Sequence, residues 1–126
     1  MRMLLVFLGM LICHAFVAFA AKGTATFYTP PYVPSACFGD NDEGVKIAAA
    51  SEAIWDNKAA CGRKYRVRCT GATNKGVPKP CRGGSVVVKI VDLCPAGCQG
   101  TIDLSQEAFS HIADPSAGKI KIEYTR

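Results

Sequence analysis

Two aspartates stand where the sequence could support acid–base chemistry. Asp92 and Asp103 each follow a β-branched residue near the end of a predicted strand, and a cysteine-rich loop lies between them. A carboxyl group among apolar neighbours can have a raised pKa and act as a general acid. An aspartate in such a place can also cap a turn, or the helix predicted to begin at Ser105, and the spacing alone favours this structural role.

The first twenty residues have the pattern of a secretory signal peptide. Met1-Arg2-Met3 is a short basic start, residues 4–19 are almost wholly apolar, and Ala18-Phe19-Ala20 places small residues where a signal peptidase cleaves. The apolar run is shorter than the roughly 20 residues that a membrane-spanning helix needs. We therefore expect a signal peptide over residues 1–20 and a secreted mature domain over residues 21–126.

The cysteine count agrees with secretion. The chain has 126 residues, seven cysteines and a formal net charge of +5. Removal of the leader takes away Cys13, and the even number left in a small secreted domain indicates three disulfides. Metal binding is disfavoured because Cys94 and Cys98 are the only close pair and His111 is the only histidine of the mature chain. We expect neither a metal nor a cofactor.

Composition and pattern predict one small domain rich in strands. A hydrophobic fraction of 49% excludes a disordered chain, and the modest charge excludes a basic nucleic-acid-binding arm. Ser105 is the predicted N-cap of a short helix. Strands are predicted over 23–28, 63–69, 85–91, 101–104 and 119–125, one or two helical turns over 47–57, and loops over 29–34 and 70–80. This order fits a small β-barrel better than a sandwich.

Five segments of the mature chain resemble, in order, the expansin-like double-psi β-barrel domain. They are GTATFY (23–28), AACG (59–62), YRVRC (65–69), VVVKIVDLC (86–94) and TIDLSQEAF (101–109). The YRVRC segment and the tight CPAGC loop (94–98) make the chain more similar to the plant natriuretic peptides, small secreted proteins made of this barrel alone. The resemblance implies a mainly β fold, a six-stranded double-psi β-barrel with one or two short helices and three disulfides.

The resemblance also implies roles for individual residues. Asp103 matches an aspartate that is essential for wall loosening in expansins and corresponds to the general acid of related small endoglucanases. Asp92 matches a second aspartate of the polar groove, and Thr26 and Tyr28 match groove residues of the first strand. The disulfides implied are Cys37–Cys61, Cys69–Cys81 and Cys94–Cys98, whereas the cysteine positions alone leave fifteen pairings open.

One departure from the endoglucanases argues against hydrolysis. Inverting hydrolysis needs a second carboxylate, about 6.5–9.5 Å from the acid, to activate water. In the endoglucanases it follows the tyrosine of the first strand. Here Thr29-Pro30-Pro31 follows Tyr28, and the first acidic residue of the mature chain is Asp40. The sequence therefore predicts a vestigial groove, not a glycosidase.

The segment from Tyr28 to Arg66 matches the receptor-engaging region of the plant natriuretic peptides. The candidate receptor-binding residues are Pro30, Pro31, Tyr32, Trp55, Arg63, Lys64, Tyr65 and Arg66. Trp55 can instead be a packing residue under a helix. Likewise, Lys64, Arg66 and Arg68 can be a solvated strand face, or a basic patch that meets pectin carboxylates or an acidic receptor surface in a salt-dependent way.

By this resemblance the chain is expected to be a monomeric signalling protein that affects water and solute homeostasis under stress. Its expected location is the extracellular space, that is, the apoplast and cell wall. The implied partner is a plasma-membrane receptor, with no nucleic acid and no membrane insertion. Two alternatives remain. One is a non-enzymatic module that binds or loosens cell-wall polysaccharide through a groove containing Asp103, Asp92 and Tyr28. The other is a barwin-type defence protein acting on microbial glycans.

Overall fold

Alternating apolar and polar residues build a closed barrel of six strands in the computed structural model, which describes residues 19–126. The strands are β1 (Ala21–Tyr28), β2 (Ile47–Ala50), β3 (Lys64–Ala72), β4 (Val86–Leu93), β5 (Ile102–Ser105) and β6 (Ile120–Thr125). They close in the order β1-β5-β2-β4-β3-β6. The predicted signal peptide, except its last two residues, lies outside the described residues. In the part described, no helix is long and apolar enough to cross a membrane.

β2 corrects one prediction from the sequence. Residues 47–57 were predicted as helical turns, but residues 47–50 form a strand that lies parallel to β4 and antiparallel to β5. All four of its residues are buried. The helix propensity of alanine is a weak preference that neighbouring strands outweigh, and small side chains fit between two packed neighbours. Only α1 (Glu52–Trp55) is helical in this segment.

The second helix is confirmed at its predicted start. Ser105 Oγ accepts a hydrogen bond from the Ala108 backbone N–H at 3.1 Å and so caps α2 (Gln106–Ile112). Phe109 and Ile112 of this helix are fully buried. A short 3-10 helix (Pro115–Ala117) follows α2. The barrel core is formed by side chains from every strand, including Ala25, Ala48, Val67, Val88, Ile90, Ile102, Leu104, Ile120 and Ile122.

β3 has the alternation that the sequence predicts. Tyr65 and Val67 are buried in the barrel, whereas Lys64, Arg66 and Arg68 are exposed. The strand continues past the predicted boundary at 69, with a register shift after Cys69 in its pairing with β6. The predicted loop over 70–80 is therefore shorter than expected.

Three disulfides connect the loops to the barrel. The structure contains Cys37–Cys61, Cys69–Cys81 and Cys94–Cys98, which are the pairs that the resemblance implies. The first ties the loop between β1 and β2 to the segment after α1. The second ties β3 to the segment before β4, and the third closes a short loop after β4.

Candidate functional site

The pairing of four strands brings the predicted groove residues into one row. Asp92 of β4 and Asp103 of β5 both pair with Ala49 of the intervening strand β2. Thr26 of β1 in turn pairs with Asp103. Because neighbouring strands lie about 4.8 Å apart, the backbones of the two aspartates are separated by about 10 Å. We call these four residues the aspartate row.

Ala49 forms the floor of this row. Its neighbours Ala48 and Ala50 belong to the barrel core, and alternate residues of a strand point to opposite faces. Ala49 therefore points away from the barrel interior, between Asp92 and Asp103, although the residue is only 4% exposed. Its methyl group is the smallest side chain of the row, so a larger side chain here would crowd the two carboxyl groups. The sequence gives no signal for this role, because alanine carries no chemistry of its own.

A β-bulge in β4 puts Asp92 into the row. Ala48 pairs with Ile90, but the next residue of β2 pairs with Asp92, so that Val91 is an extra residue in β4. Ile90 is fully buried in the barrel, and regular alternation would turn Asp92 toward the same interior. Bulges occur next to functional sites, where they re-aim a side chain. This bulge turns Asp92 outward.

Asp103 has an environment that disfavours the charged form of its carboxyl group. Thr26 Oγ1 donates a hydrogen bond to Asp103 Oδ1 at 2.9 Å, and Cys94 Sγ lies 3.7 Å from Asp103 Oδ2. Burial raises the pKa of Asp103 above its usual value, and the hydrogen bond from Thr26 opposes part of this rise. A raised pKa is a requirement for a general acid, and that role of Asp103 stays a prediction.

Asp92 has the capping role that the sequence also allows. Its Oδ1 accepts hydrogen bonds from the backbone N–H groups of Ala36 at 3.0 Å and Leu93 at 2.9 Å. The bond from Ala36 holds the loop between β1 and β2 against the end of β4, and the bond from Leu93 is local to β4. The two aspartates of the row therefore differ. Asp92 accepts hydrogen bonds from backbone N–H groups, whereas Asp103 accepts one from the Thr26 side chain.

Two tyrosines flank the row. The Tyr28 hydroxyl is buried and has no hydrogen-bond partner among the described residues, and burial, with the nearby charges of Asp92 and Asp103, raises the pKa of Tyr28. Its ring meets the ring of Tyr32 edge to face, with centroids 5.2 Å apart. Tyr32 donates a hydrogen bond to Glu107 Oε1 at 2.5 Å, and burial together with this bond raises the pKa of Tyr32 to about 12.

The receptor-binding candidates do not form one cleft. Pro30, Pro31 and Tyr32 line a cleft of about 360 Å³ with Glu107, which the sequence analysis did not single out. The remaining candidates lie elsewhere: Arg63 and Tyr65 line a second cleft beside α1, Lys64 and Arg66 line two others, and Trp55 is partly buried against the core. A receptor-binding role for these residues stays a prediction.

Comparison with known proteins shows the family. A family model described as "Lytic transglycolase", of the double-psi β-barrel type, matches residues 47–124. An "EG45-like domain containing protein" of Citrus jambhiri is 69% identical over 123 residues, which cover 97% of this chain and 94% of that protein. The chain belongs to the EG45-like family of double-psi β-barrel proteins.

Two solved structures are similar to the barrel of this EG45-like chain. A Clavibacter michiganensis expansin variant, crystallised in complex with cellohexaose, has 28% identity and a TM-score of 0.65, and the match covers 86% of this chain and 50% of that chain. The Streptomyces papain inhibitor has 27% identity and a TM-score of 0.58, with 86% and 96% covered. These likenesses agree with the predicted fold. Within residues 19–126 of the EG45-like chain, no group of three metal-ligating side chains could hold a metal ion.

The environment of Asp103 predicts a pH-dependent gain in stability when the carboxyl group is removed. Because the pKa of Asp103 is higher in the folded than in the unfolded state, the contribution of this residue to the free energy of unfolding depends on pH. The contribution is complete below the unfolded pKa of about 3.9 and is lost as the pH rises through the folded pKa. We expect Asp103→Asn to raise the free energy of unfolding at pH 7 by about 0.5–1 kcal/mol, since the site is partly open to screening. At pH 3 the gain should disappear.

Denaturant unfolding at the two pH values measures this effect. Asp40→Asn, on an exposed turn, removes the same charge and serves as the matched control. An equal gain from both variants at pH 7 would show that net charge, and not the burial of Asp103, is responsible.

Proposed function

We propose that this EG45-like chain is an extracellular protein that binds a neutral oligosaccharide of the cello-oligosaccharide class over the aspartate row, without cleaving it. The observation that carries the proposal is the row itself, in which two carboxyl groups stand on either side of an alanine floor. The expansin neighbour crystallised with cellohexaose supports the choice of ligand. The signal-peptide pattern and three disulfides support a location outside the cell.

The groups of the row suit the hydroxyl groups of a sugar. Asp103 offers carboxyl oxygens that accept hydrogen bonds, and bonds to charged groups are worth more than neutral ones. The buried Tyr28 hydroxyl has no hydrogen-bond partner among the described residues. A hydrogen bond to a ligand or a water removes the free-energy cost of leaving such a group unpaired. The rings of Tyr28 and Tyr32 add apolar surface at one side of the row.

The arrangement of carboxylates supports binding without hydrolysis. An inverting mechanism needs one protonated acid and a second carboxylate that takes a proton from water. Asp103 suits the acid. Asp92 is the other carboxylate of the row, but its Oδ1 accepts two backbone hydrogen bonds, one of which holds the loop between β1 and β2. The position after Tyr28, where the endoglucanases carry their base, is occupied by Thr29-Pro30-Pro31, so the row lacks a carboxylate where that mechanism needs one.

Calorimetric titration of the protein with cellohexaose tests the proposal. We expect binding by the wild type and a loss of affinity of about tenfold or more for Asp103→Ala, the effect of removing a charge-assisted hydrogen bond. Ala49→Val should also weaken binding, because it fills the floor without a change of charge. Glu52→Ala, which removes a carboxylate from a different cleft, is the matched control.

Three results would contradict the proposal. Wild-type protein that binds no cellohexaose would exclude this ligand class, and equal losses in the Asp103 and Glu52 variants would remove the row from the site. Release of reducing ends that disappears in Asp103→Asn would show that the row is catalytic.

A second candidate function is extracellular signalling through a membrane receptor. It is favoured by the cleft of Pro30, Pro31 and Tyr32, whose exposed loop is held in place by the hydrogen bond from Tyr32 to Glu107. Protoplasts separate the two candidates, because they have no wall. Swelling caused equally by the wild type and by Asp103→Asn would support signalling, whereas no swelling by folded, disulfide-bonded protein would count against it.

A further inference from the structure

A second surface of the barrel is dominated by cations. It is formed by the outward side chains of β3 and β6, with Lys22 of β1, Lys89 of β4 and Lys46, which precedes β2. Its basic residues are Lys22, Lys46, Lys64, Arg66, Arg68, Lys89 and Lys121. We call this surface the basic face.

Three neighbouring clefts run across the basic face. The first, of about 310 Å³, contains Lys46, Lys64 and Lys89. The second, of about 340 Å³, is lined by Arg66, Arg68, Gly83, Gly84, Ser85 and Glu123. The third, of about 350 Å³, contains Lys22, Lys121 and Glu123. The clefts adjoin one another. Lys64 of the first and Arg66 of the second are alternate residues of β3, and Glu123 lines both the second and the third.

Few of these cations are neutralised. Among the described residues that line the three clefts, Glu123 is the only acid, and its Oε2 lies 2.9 Å from Arg68 Nη2. Lys89 forms an ion pair with Glu43. The Arg66 guanidinium donates to Ser85 Oγ at 3.2 Å and has no ion pair within the described residues. The other four cations, Lys22, Lys46, Lys64 and Lys121, likewise form no ion pair there.

Acidic residues collect in other clefts. Asp42 and Glu107 line the cleft of Pro30 and Pro31, and Glu52 and Asp56 line the cleft beside α1. The net charge of +5 is thus distributed unevenly, with the positive part concentrated on one face. Such a face attracts an anionic partner over several ångströms in a salt-dependent way.

From this geometry we infer that the basic face binds a linear carboxylated polysaccharide, a polyuronate. Alternate residues of a strand stand about 7 Å apart, so β3 presents its three cations in a straight, evenly spaced line. A polyuronate carries one carboxylate on each sugar and matches a repeated series of cation-lined clefts. The guanidinium groups of Arg66 and Arg68 suit carboxylates because they can donate two parallel hydrogen bonds.

The lining of the clefts disfavours other polyanions and acidic proteins. No aromatic side chain is among the described residues that line them, so nucleic-acid bases would find no surface on which to stack. A protein interface is usually anchored by buried aromatic or aliphatic residues, and the one large exposed apolar side chain in these clefts is Val87. A hydrated, evenly charged polymer fits this surface best.

Binding to polygalacturonate tests the inference. We expect the wild type to bind the polymer, to bind less tightly as salt is added, and not to bind the same polymer with its carboxylates methyl-esterified. The variant Lys64→Gln/Arg66→Gln/Arg68→Gln should bind about tenfold more weakly or worse, as expected for three exposed ionic contacts. The control Lys58→Gln/Lys75→Gln/Lys79→Gln loses the same charge at positions outside the three clefts and should keep most of the affinity.

A second variant keeps the test decisive if the β3 variant fails to fold. Lys22→Gln/Lys121→Gln changes only β1 and β6 and should also weaken binding relative to a double control, Lys75→Gln/Lys79→Gln. Binding that persists on the esterified polymer, or that falls equally in the variants and their controls, would overturn the inference. Titration of the β3 variant with cellohexaose separates this surface from the aspartate row, because that affinity should be unchanged.

Discussion

Replacement of Phe109 by alanine should lower the free energy of unfolding by about 3–5 kcal/mol, the cost of deleting a fully buried aromatic side chain. Phe109 lies on α2 with no exposed surface, and its ring centroid is 4.8 Å from that of Phe27 in β1. Its removal would leave a cavity between the helix and the barrel. Equilibrium denaturation in urea measures the loss.

Phe38→Ala is the matched control for this experiment. It deletes the same atoms from a partly exposed ring that lies 5.4 Å from the Lys89 ammonium group. We expect a clearly smaller loss, because less apolar area leaves water on folding at this position. Equal losses in the two variants would show that Phe109 is not a central packing residue.

The double substitution Cys37→Ser/Cys61→Ser should cost about 3.5 kcal/mol, because a cross-link that closes a longer loop removes more entropy from the unfolded chain. This disulfide spans 24 residues and connects two segments outside the strands. The variant should keep the barrel pairing, since neither cysteine lies in a strand. Denaturant unfolding of the oxidised proteins measures the difference.

Cys94→Ser/Cys98→Ser provides the comparison. It removes a cross-link that spans four residues, for which the same entropy argument gives about 2 kcal/mol. The prediction is that Cys37→Ser/Cys61→Ser lowers the free energy of unfolding more than Cys94→Ser/Cys98→Ser does. A larger loss for the short loop would mean that the loop near Asp103 stabilises the fold through its contacts and not through chain entropy.

The strands were predictable where burial alternates within one segment. In β3, Tyr65 and Val67 are buried between exposed cations, a pattern that the sequence shows directly. The capping role of Ser105 was predictable for the same reason, because the cap and its partner are three residues apart. β2 was not predictable in this way. Its Ile-Ala-Ala-Ala segment becomes a strand only because β4 and β5, from distant parts of the chain, lie on either side of it.

The candidate site was predictable in its residues but not in its geometry. Asp92 and Asp103 were found from their positions after β-branched residues and from the family resemblance. Their shared partner Ala49 depends on the bulge at Val91 and on two strand registers that no local pattern reveals. The receptor-binding candidates show that neighbours in the sequence need not share a site. Arg63 and Tyr65 line one cleft and Lys64 lines another, because adjacent side chains project in alternating directions.

The place of β1 in the barrel has a consequence for the order in which the chain can fold. This strand, the first to be synthesised, begins at the predicted cleavage site and pairs with β5 and β6, the last strands of the chain. Ala21, for example, pairs with Tyr124. The contact order is therefore high, and the barrel cannot close until the final residues have emerged. For a chain exported as we propose, folding should therefore follow translocation, so that the unfolded chain crosses the membrane before a closed barrel could obstruct its passage.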